Sequence, residues 1–207
     1  MPDLLTLIAF IPAALALNLT PGADMMFCLG QGLRGGPRAA LAADVGISLG
    51  ALVHVLIAGL GLGAVVATHP WLFDVIRWAG VAYLLWLASG ALRGGAAKAA
   101  KGQVISPARA FREAFVVNLT NPKVILFVLA FVPQFVDPAK GSILGQFMIF
   151  GVILSLGGLM VNGFVGVFAG SVGQRLTGSP GFTRGLGFAS AAIFGALAVR
   201  LALLQKG

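Results

Sequence analysis

The chain has 207 residues, of which 58% are hydrophobic and only 10% are charged, and its mean hydropathy is +0.98. This composition lies far outside the range of soluble domains. A net charge of +8 would suggest nucleic-acid binding in a soluble chain, but here the basic residues are mostly confined to the connections between apolar runs, where they set orientation in a membrane. We therefore expect an integral membrane protein that binds no nucleic acid.

Six apolar runs are long enough to cross a hydrocarbon core of roughly 30 Å, which takes about 20 helical residues. They predict an all-α fold of six transmembrane helices in a single domain, residues 1–207. The predicted spans are residues 4–33, 41–67, 71–92, 112–132, 143–170 and 185–204.

The first run is interrupted by the segment NLTPGAD, residues 18–24. Pro21 removes a backbone donor and leaves the Leu17 carbonyl without its helical partner, while Gly22 lets the backbone turn. Such breaks persist in lipid only where protein or a water-filled cavity satisfies the freed groups. At 1.5 Å per residue, Asp24 lies roughly 14 Å from the end of the run, near the bilayer midplane. A charge at this depth usually marks a transport pathway or an ion pair.

The second run contains GISLG, residues 46–50, which matches the G-x-S-x-G pattern of serine hydrolases. That pattern needs a strand, a strained turn and a helix to expose Ser48, whereas this copy lies inside a predicted transmembrane helix, so we reject a hydrolase. The spacing of Gly46, Gly50 and His54 instead predicts a face that a neighbouring helix approaches closely. His54 is a candidate proton relay, with an interhelical hydrogen bond as the alternative.

The longest connection, residues 93–111, is rich in lysine and arginine and separates three predicted spans from three. Basic connections face the cytoplasm, whereas the alternate connections carry few basic residues. Both termini are therefore predicted to lie outside. A unit of three crossings enters the membrane from opposite sides in its two copies, so residues 1–92 and 112–207 would form a 3+3 inverted repeat.

The fourth run carries a second interruption, NLTNPK, residues 118–123. Pro122 frees the carbonyl of Asn118, four residues earlier. Lys123 lies roughly 16 Å from the start of the run at Arg112, which also places this charge near the midplane.

The two interruptions fall in the first span of each half, which predicts that two broken helices meet at the midplane. The alternative is a pair of proline kinks whose polar side chains repair the helix. The charges of Asp24 and Lys123 favour a functional site, and we expect the two to lie close enough to interact. The residues predicted to form the site are Asn18, Thr20, Pro21, Gly22, Asp24, Asn118, Asn121, Pro122 and Lys123.

The interrupted spans belong to longer segments that together match a known family. These segments are TPGADMMFCLGQGLRGGPRAALAADVGISLGALVHVLIAGLGL, AGVAYLLWLASGALR, FREAFVVNLTNPKVILFVLAFVPQFVDP and FGALAVRLAL. Over almost the whole chain the sequence resembles the LysE/RhtB family of bacterial amino-acid exporters. The family's proline-glycine motif falls on Pro21 and Gly22, and its asparagine-proline-lysine motif falls on Asn121, Pro122 and Lys123.

The resemblance implies an antiporter of the bacterial inner membrane that exports amino acids or close derivatives. The proton-motive force would drive export, and the protein would need no cofactor and no metal and would not be an enzyme. A homo-oligomer is compatible with the resemblance. The alternatives are a passive channel or a membrane scaffold.

A small zwitterion would bind between the two interruptions. Its carboxylate would lie near Lys123 or a half-helix N-terminus, and its ammonium near Asp24 or the freed carbonyls. Protonation of Asp24, or of Asp44 or His54, would couple release to proton entry. Asp44 lies near the cytoplasmic end of the second span, and the alternative is that it faces headgroup water.

Overall fold

The computed structural model describes residues 1–68, 71–92, 105–169 and 179–203, and within these ranges it contains helices and no strand. The predicted all-α fold is confirmed. The basic connection at 93–111 lies mostly outside the described residues. The α-helices are α1 (Leu4–Leu19), α2 (Ala23–Thr68), α3 (Trp71–Leu92), α4 (Pro107–Leu119), α5 (Pro122–Ala130), α6 (Ile143–Val167) and α7 (Pro180–Leu203), and two 3-10 turns (Val132–Phe135 and Pro138–Lys140) join α5 to α6.

Helix α2 consists of two arms that fold back on each other at Gly36. The backbone of Gly36 has φ 73° and ψ −172°, a conformation that favours glycine. A straight helix would separate residues 28 and 40 by about 18 Å. Instead the Ala40 Cβ and the Cys28 carbonyl oxygen lie 2.8 and 3.1 Å from the position that a Cβ on Gly166 would occupy. The arms of α2 therefore correspond to the end of the first predicted span and to the second.

By length and hydropathy alone, two of the described helices are long and apolar enough to cross a membrane, Ala23–Gly61 and Ile143–Val167. Pro107–Leu119 and Pro122–Phe135, which are bent by 51° at their break, form a third if the pair is one span. The shorter apolar helices are Leu4–Leu19, Val81–Gly90 and Gly187–Ala196. Helices thus lie in each of the six predicted ranges, and the number of crossings stays a prediction.

The helices of the two chain halves interleave. The main contacts of α2 are with α6 and α4, while α3 packs along α7 and α1 contacts α6 and α7. Close approach depends on glycine, because a Cβ at Gly46 would lie 2.3 Å from the Phe111 carbonyl oxygen, and one at Gly32 would lie 1.9 Å from the Gly166 carbonyl oxygen. The prediction that the face of Gly46 admits a neighbouring helix is confirmed, and the neighbour is α4.

A cluster of buried aromatic rings fixes α1 against α5 and α6. The Phe10 ring lies 4.8 to 6.4 Å, centroid to centroid, from the rings of Phe127, Phe131, Phe135 and Phe150. Tilted and edge-to-face rings at these separations stabilise beyond the apolar area that they bury. The cluster therefore holds the first helix of the chain beside two helices of the second half, α5 and α6.

The two ends of the molecule carry different connections. The Asp3 carboxylate accepts from Lys140 Nζ at 2.6 Å, and the Met1 ammonium donates to the Lys140 carbonyl, so the N-terminus lies beside the α5–α6 connection. At Gly35, in the turn of α2, a Cβ would lie 3.8 Å from the Ile105 carbonyl oxygen, just before α4. The distribution of basic residues in the sequence predicts the same two groups: the N-terminus with the α5–α6 connection on one side, and the turn of α2 with the connection before α4 on the other.

Candidate functional site

The first break, residues 20–22, separates α1 from α2. The Thr20 N–H and hydroxyl both donate to the Ala16 carbonyl, at 3.0 and 2.6 Å. The Leu17 carbonyl, which Pro21 deprives of its helical donor, accepts from Lys123 Nζ at 2.9 Å. The same ammonium donates to the Thr20 carbonyl, also at 2.9 Å. Lys123 therefore caps the C-terminal end of α1 from the other half of the chain.

The second break, residues 120–121, separates α4 from α5 and begins in the same way. The Thr120 N–H and hydroxyl both donate to the Val116 carbonyl at 3.0 Å. The Asn118 carbonyl accepts from the Asn121 N–H at 3.0 Å and lies 3.1 Å from His54 Nε2. Because a carbonyl only accepts, this contact assigns the proton of His54 to Nε2.

The two carbonyls that the prolines free are thus each met by a basic side chain from the opposite half. Lys123 meets that of Leu17, and His54 meets that of Asn118. The predicted loss of helical partners at these positions is confirmed. For His54 the interhelical hydrogen bond is the contact present, and a proton relay stays a prediction.

The start of α5 is capped by its own sequence. The Asn121 Oδ1 accepts from the Lys123 N–H at 3.0 Å, and Pro122 occupies the first turn. The Tyr83 hydroxyl on α3 donates to the Lys123 carbonyl at 3.1 Å. Sequence reasoning missed Tyr83, although it is the single tyrosine of the chain. Since α2 and α5 both begin at breaks, the positive ends of two helix dipoles lie at the breaks.

Asp24 is buried in the first turn of α2. Its Oδ2 accepts from Asn118 Nδ2 at 3.0 Å, and its Oδ1 has no hydrogen-bond partner among the described residues. Asp24 and Lys123 interact electrostatically, as predicted. They form no direct ion pair in the described structure, because the Lys123 ammonium is held by the two carbonyls at the end of α1.

A small cavity lies where the two breaks meet α2 and α6. Its volume is about 20 Å³, which leaves room for about one water molecule. Asn18, Asp24 and Asn118, which the sequence predicted, line it, whereas Thr20, Pro21, Gly22, Asn121, Pro122 and Lys123 shape the breaks beside it. The polar residues of the lining are Asn18, Asp24, Ser48, Asn118, Ser155 and Asn162.

Helix α6 contributes polar contacts that sequence reasoning missed. The Ser155 hydroxyl donates to the Ser48 carbonyl at 3.2 Å, and the Asn18 Nδ2 donates to the Leu154 carbonyl at 3.0 Å. A small hydroxyl residue at the centre of an apolar run is the signal that could have identified Ser155. These bonds join the lining of the cavity across the two chain halves.

Asp44 lies outside this lining. The alternative that it faces headgroup water is wrong, because its side chain is fully buried and its Oδ2 lies 2.8 Å from the position of a Cβ on Gly163. The Asn162 side chain lies close enough to the carboxylate for a hydrogen-bonding contact, although neither carboxylate oxygen meets strict hydrogen-bond geometry with a described residue. The glycine on α6 is what leaves room for this carboxylate inside the protein.

Broken helices around a buried polar cavity, in a chain this apolar, define a membrane protein of the transporter class. The family model described as LysE type translocator matches residues 15–205. The chain belongs to this family, whose members are transporters rather than enzymes.

Relatives extend the match. An uncharacterized membrane protein of Vibrio cholerae is 36% identical over 152 residues, which cover 72% of this chain and 74% of the relative. The homoserine/homoserine lactone efflux protein of Salmonella typhimurium is 35% identical over 70% of each chain. The leucine efflux protein of Enterobacter sp. is 31% identical over 80% of each chain. No solved structure matches the chain.

Proposed function

We propose that the protein is a secondary-active exporter of amino acids or close derivatives. Two of its relatives are named for the efflux of homoserine or homoserine lactone and of leucine. The observation that carries the proposal is the cavity between the breaks, where Asp24 presents an unpaired carboxylate oxygen beside Asn18 and Asn118. A zwitterionic substrate needs such a carboxylate for its ammonium group and a separate positive region for its carboxylate.

The positive region in this proposal is the N-terminal end of a half-helix. Both α2 and α5 begin at the breaks, and the N-terminal end of a helix favours an anion. The first N–H groups of α5 already donate to Asn121, so the proposal assigns this role to the start of α2. Lys123, the other predicted partner of the substrate carboxylate, donates instead to two carbonyls of α1 in this conformation. Since the cavity holds about one water, substrate binding requires the helices around it to move apart.

The driving force in this proposal is the proton-motive force. Asp24 is the first candidate for proton coupling because it lies in the cavity. Asp44 and His54 are the further candidates: Asp44 is buried without a hydrogen-bond partner among the described residues, and His54 contacts the second break. A proton bound at Asp24 would neutralise the group that holds the substrate ammonium and so favour release.

The proposed topology is six spans arranged as a 3+3 inverted repeat in the bacterial inner membrane, with both termini outside. Three observations support it. Each half begins with a helix that ends in the same threonine bonds, at Thr20 and Thr120. In each half the break is followed by a shorter helical segment, which is the first arm of α2 or α5, and then by a long helical segment and a final helix. The contacts of Asp3 with Lys140 put the N-terminus beside the connection that is poor in basic residues.

The test is transport of a panel of radiolabelled amino acids into inverted membrane vesicles, with and without a protonophore. We expect protonophore-sensitive accumulation of one class of substrate, and a loss of at least about tenfold for Asp24→Asn, the factor that follows from about 1.4 kcal/mol of lost binding. Asp3→Asn, which alters an exposed acid at the N-terminus, is the matched control. Transport that ignores the protonophore and never runs uphill would instead identify a passive channel, and folded protein without any transport would favour a scaffold.

A further inference from the structure

Three buried oxygen atoms without hydrogen-bond partners belong to side chains that line the same cavity. They are Asp24 Oδ1, Asn118 Oδ1 and Ser48 Oγ, and none has a partner in the part of the chain that the structure describes. Buried polar atoms in proteins are normally paired. Three orphaned oxygens around a cavity of about 20 Å³ therefore point to a small species that pairs with all of them.

The contacts around Asn118 show which of its amide atoms is free. Asn118 Nδ2 donates to Asp24 Oδ2 at 3.0 Å, so the amide oxygen of Asn118 is the atom left free. Asn118 and Asp24 are only 1% and 6% exposed, so bulk water at the two membrane surfaces does not solvate them. The site is therefore held in place by a hydrogen bond between two of its own members.

The chemistry of the three atoms selects the ligand. Carboxylate, amide and hydroxyl oxygens suit hard cations and ammonium groups rather than soft metals. The single carboxylate of Asp24 balances one positive charge, which favours a monovalent cation over a divalent one. The space suits a particle of about the size of water.

We propose that Asp24, Asn118 and Ser48 form a subsite for a monovalent cation, either a sodium ion or the primary ammonium group of the substrate. The subsite gives Ser48 a role as a ligand, in place of the rejected role as a hydrolase nucleophile. Its part in export rests on the proposed function, whereas cation binding itself is measured without transport.

The test is thermal unfolding of the purified full-length protein in detergent at constant ionic strength. Choline chloride, which is too large for the cavity, is replaced stepwise by sodium chloride in one series and by ammonium chloride in another. We expect a saturable rise in the unfolding temperature in at least one series. A rise with sodium alone identifies an ion site, and a rise with ammonium alone identifies a site for the substrate ammonium.

Two variants assign the effect to the proposed ligands. Ser48→Ala removes one oxygen and is expected to weaken cation binding about tenfold, and Asp24→Asn removes the charge and is expected to abolish the shift. Ser89→Ala, on α3 and outside the cavity lining, is the matched control and should keep the wild-type shift. If Asp24→Asn does not fold, Ser48→Ala decides alone.

Two results would overturn the proposal. Equal unfolding temperatures in all three salts, with folded wild-type protein, would mean that the cavity holds water. A full saturable shift in Ser48→Ala would place the cation elsewhere. Neither result bears on export, because the vesicle assay measures that separately.

Discussion

The two breaks begin alike and are completed differently. At both breaks the hydroxyl of a threonine donates a hydrogen bond to the carbonyl four residues earlier. This threonine is Thr20 in the first break and Thr120 in the second. The second break then supplies its own cap, since Asn121 starts α5 with its side chain and donates its N–H to the Asn118 carbonyl. The first break has proline and glycine at the corresponding place, and its carbonyls take their donors from Lys123.

This difference shows that the two copies of the motif contribute different groups to the site. The first half contributes the buried charge of Asp24, and the second half contributes the amide of Asn118 that holds it. The second half also contributes the ammonium that closes the first break. Neither half contains a complete site, so the cavity exists only where both breaks face each other. Four substitutions probe this asymmetry, and a fifth, at Asp3, is the control.

The largest expected effect is at Lys123. Lys123→Met keeps most of the length of the side chain but removes the donors for the Leu17 and Thr20 carbonyls, and each unpaired buried group costs about 1–3 kcal/mol. We expect a loss of about 2–6 kcal/mol in the free energy of unfolding, measured by chemical unfolding in detergent.

His54→Phe is the matched variant at the second break. The Asn118 carbonyl keeps the Asn121 N–H as a donor when His54 is removed, so we expect a loss of about 1 kcal/mol. Equal losses for the two variants would contradict the view that the first break depends more on the opposite half.

A smaller difference is expected at two glycines that contact the asparagines of the breaks. In Gly50→Ala the new Cβ would lie 2.7 Å from Asn118 Oδ1 and 3.0 Å from Asn118 Cβ, whereas in Gly157→Ala it would lie 2.7 Å from only the terminal Nδ2 of Asn18. Asn118 is buried and bonded to Asp24, so it cannot move aside. We expect Gly50→Ala to cost about 1–3 kcal/mol and to reduce transport.

Gly157→Ala should cost about 1 kcal/mol, because the partly buried end of the Asn18 side chain can rotate away and loses only its hydrogen bond to the Leu154 carbonyl. Chemical unfolding and vesicle transport, measured on both variants at matched expression, check the pair. A Gly157→Ala variant that is the more damaged of the two would mean that Asn18, rather than Asn118, is the constrained member.

The smallest effect is expected at Asp3, the control acid. The Lys140 ammonium and the Thr6 donors hold the pKa of the Asp3 carboxyl well below its usual range. A lowered pKa means that any stabilisation is complete at neutral pH and is lost only as the pH falls through that lowered value. The pair is exposed and therefore weak, so Asp3→Asn should unfold at the wild-type temperature at pH 7. A clear drop at pH 7 would show that the N-terminus anchors the fold.

Local chemistry explains which features the sequence could predict. The loss of a donor at Pro21 and Pro122 depends only on the proline itself and on the residue four positions earlier. For the same reason the two breaks and the freed carbonyls were predictable. Asp24 was identifiable because a charge within an apolar run is rare.

The remaining features depend on contacts between distant parts of the chain. Lys123 was predicted as a substrate ligand, and only the packing of α5 against α1 reveals that its ammonium reaches the Leu17 carbonyl. The burial of Asp44 requires a glycine on α6 opposite it, and no pattern within the second span encodes that pairing. Tyr83 likewise acquires its partner from another helix.

The contacts of Lys123 have a mechanical consequence. Lys123 ties α5 to α1, so any separation of these two helices breaks its hydrogen bonds to the carbonyls of Leu17 and Thr20 at the same time. The ammonium group of an amino acid carries the same three N–H donors as that of lysine. If the protein exports amino acids as we propose, the ammonium of a substrate on its way to Asp24 would pair with these carbonyls as lysine leaves them. In that proposal the side chain of Lys123 holds α1 and α5 together when no substrate is bound.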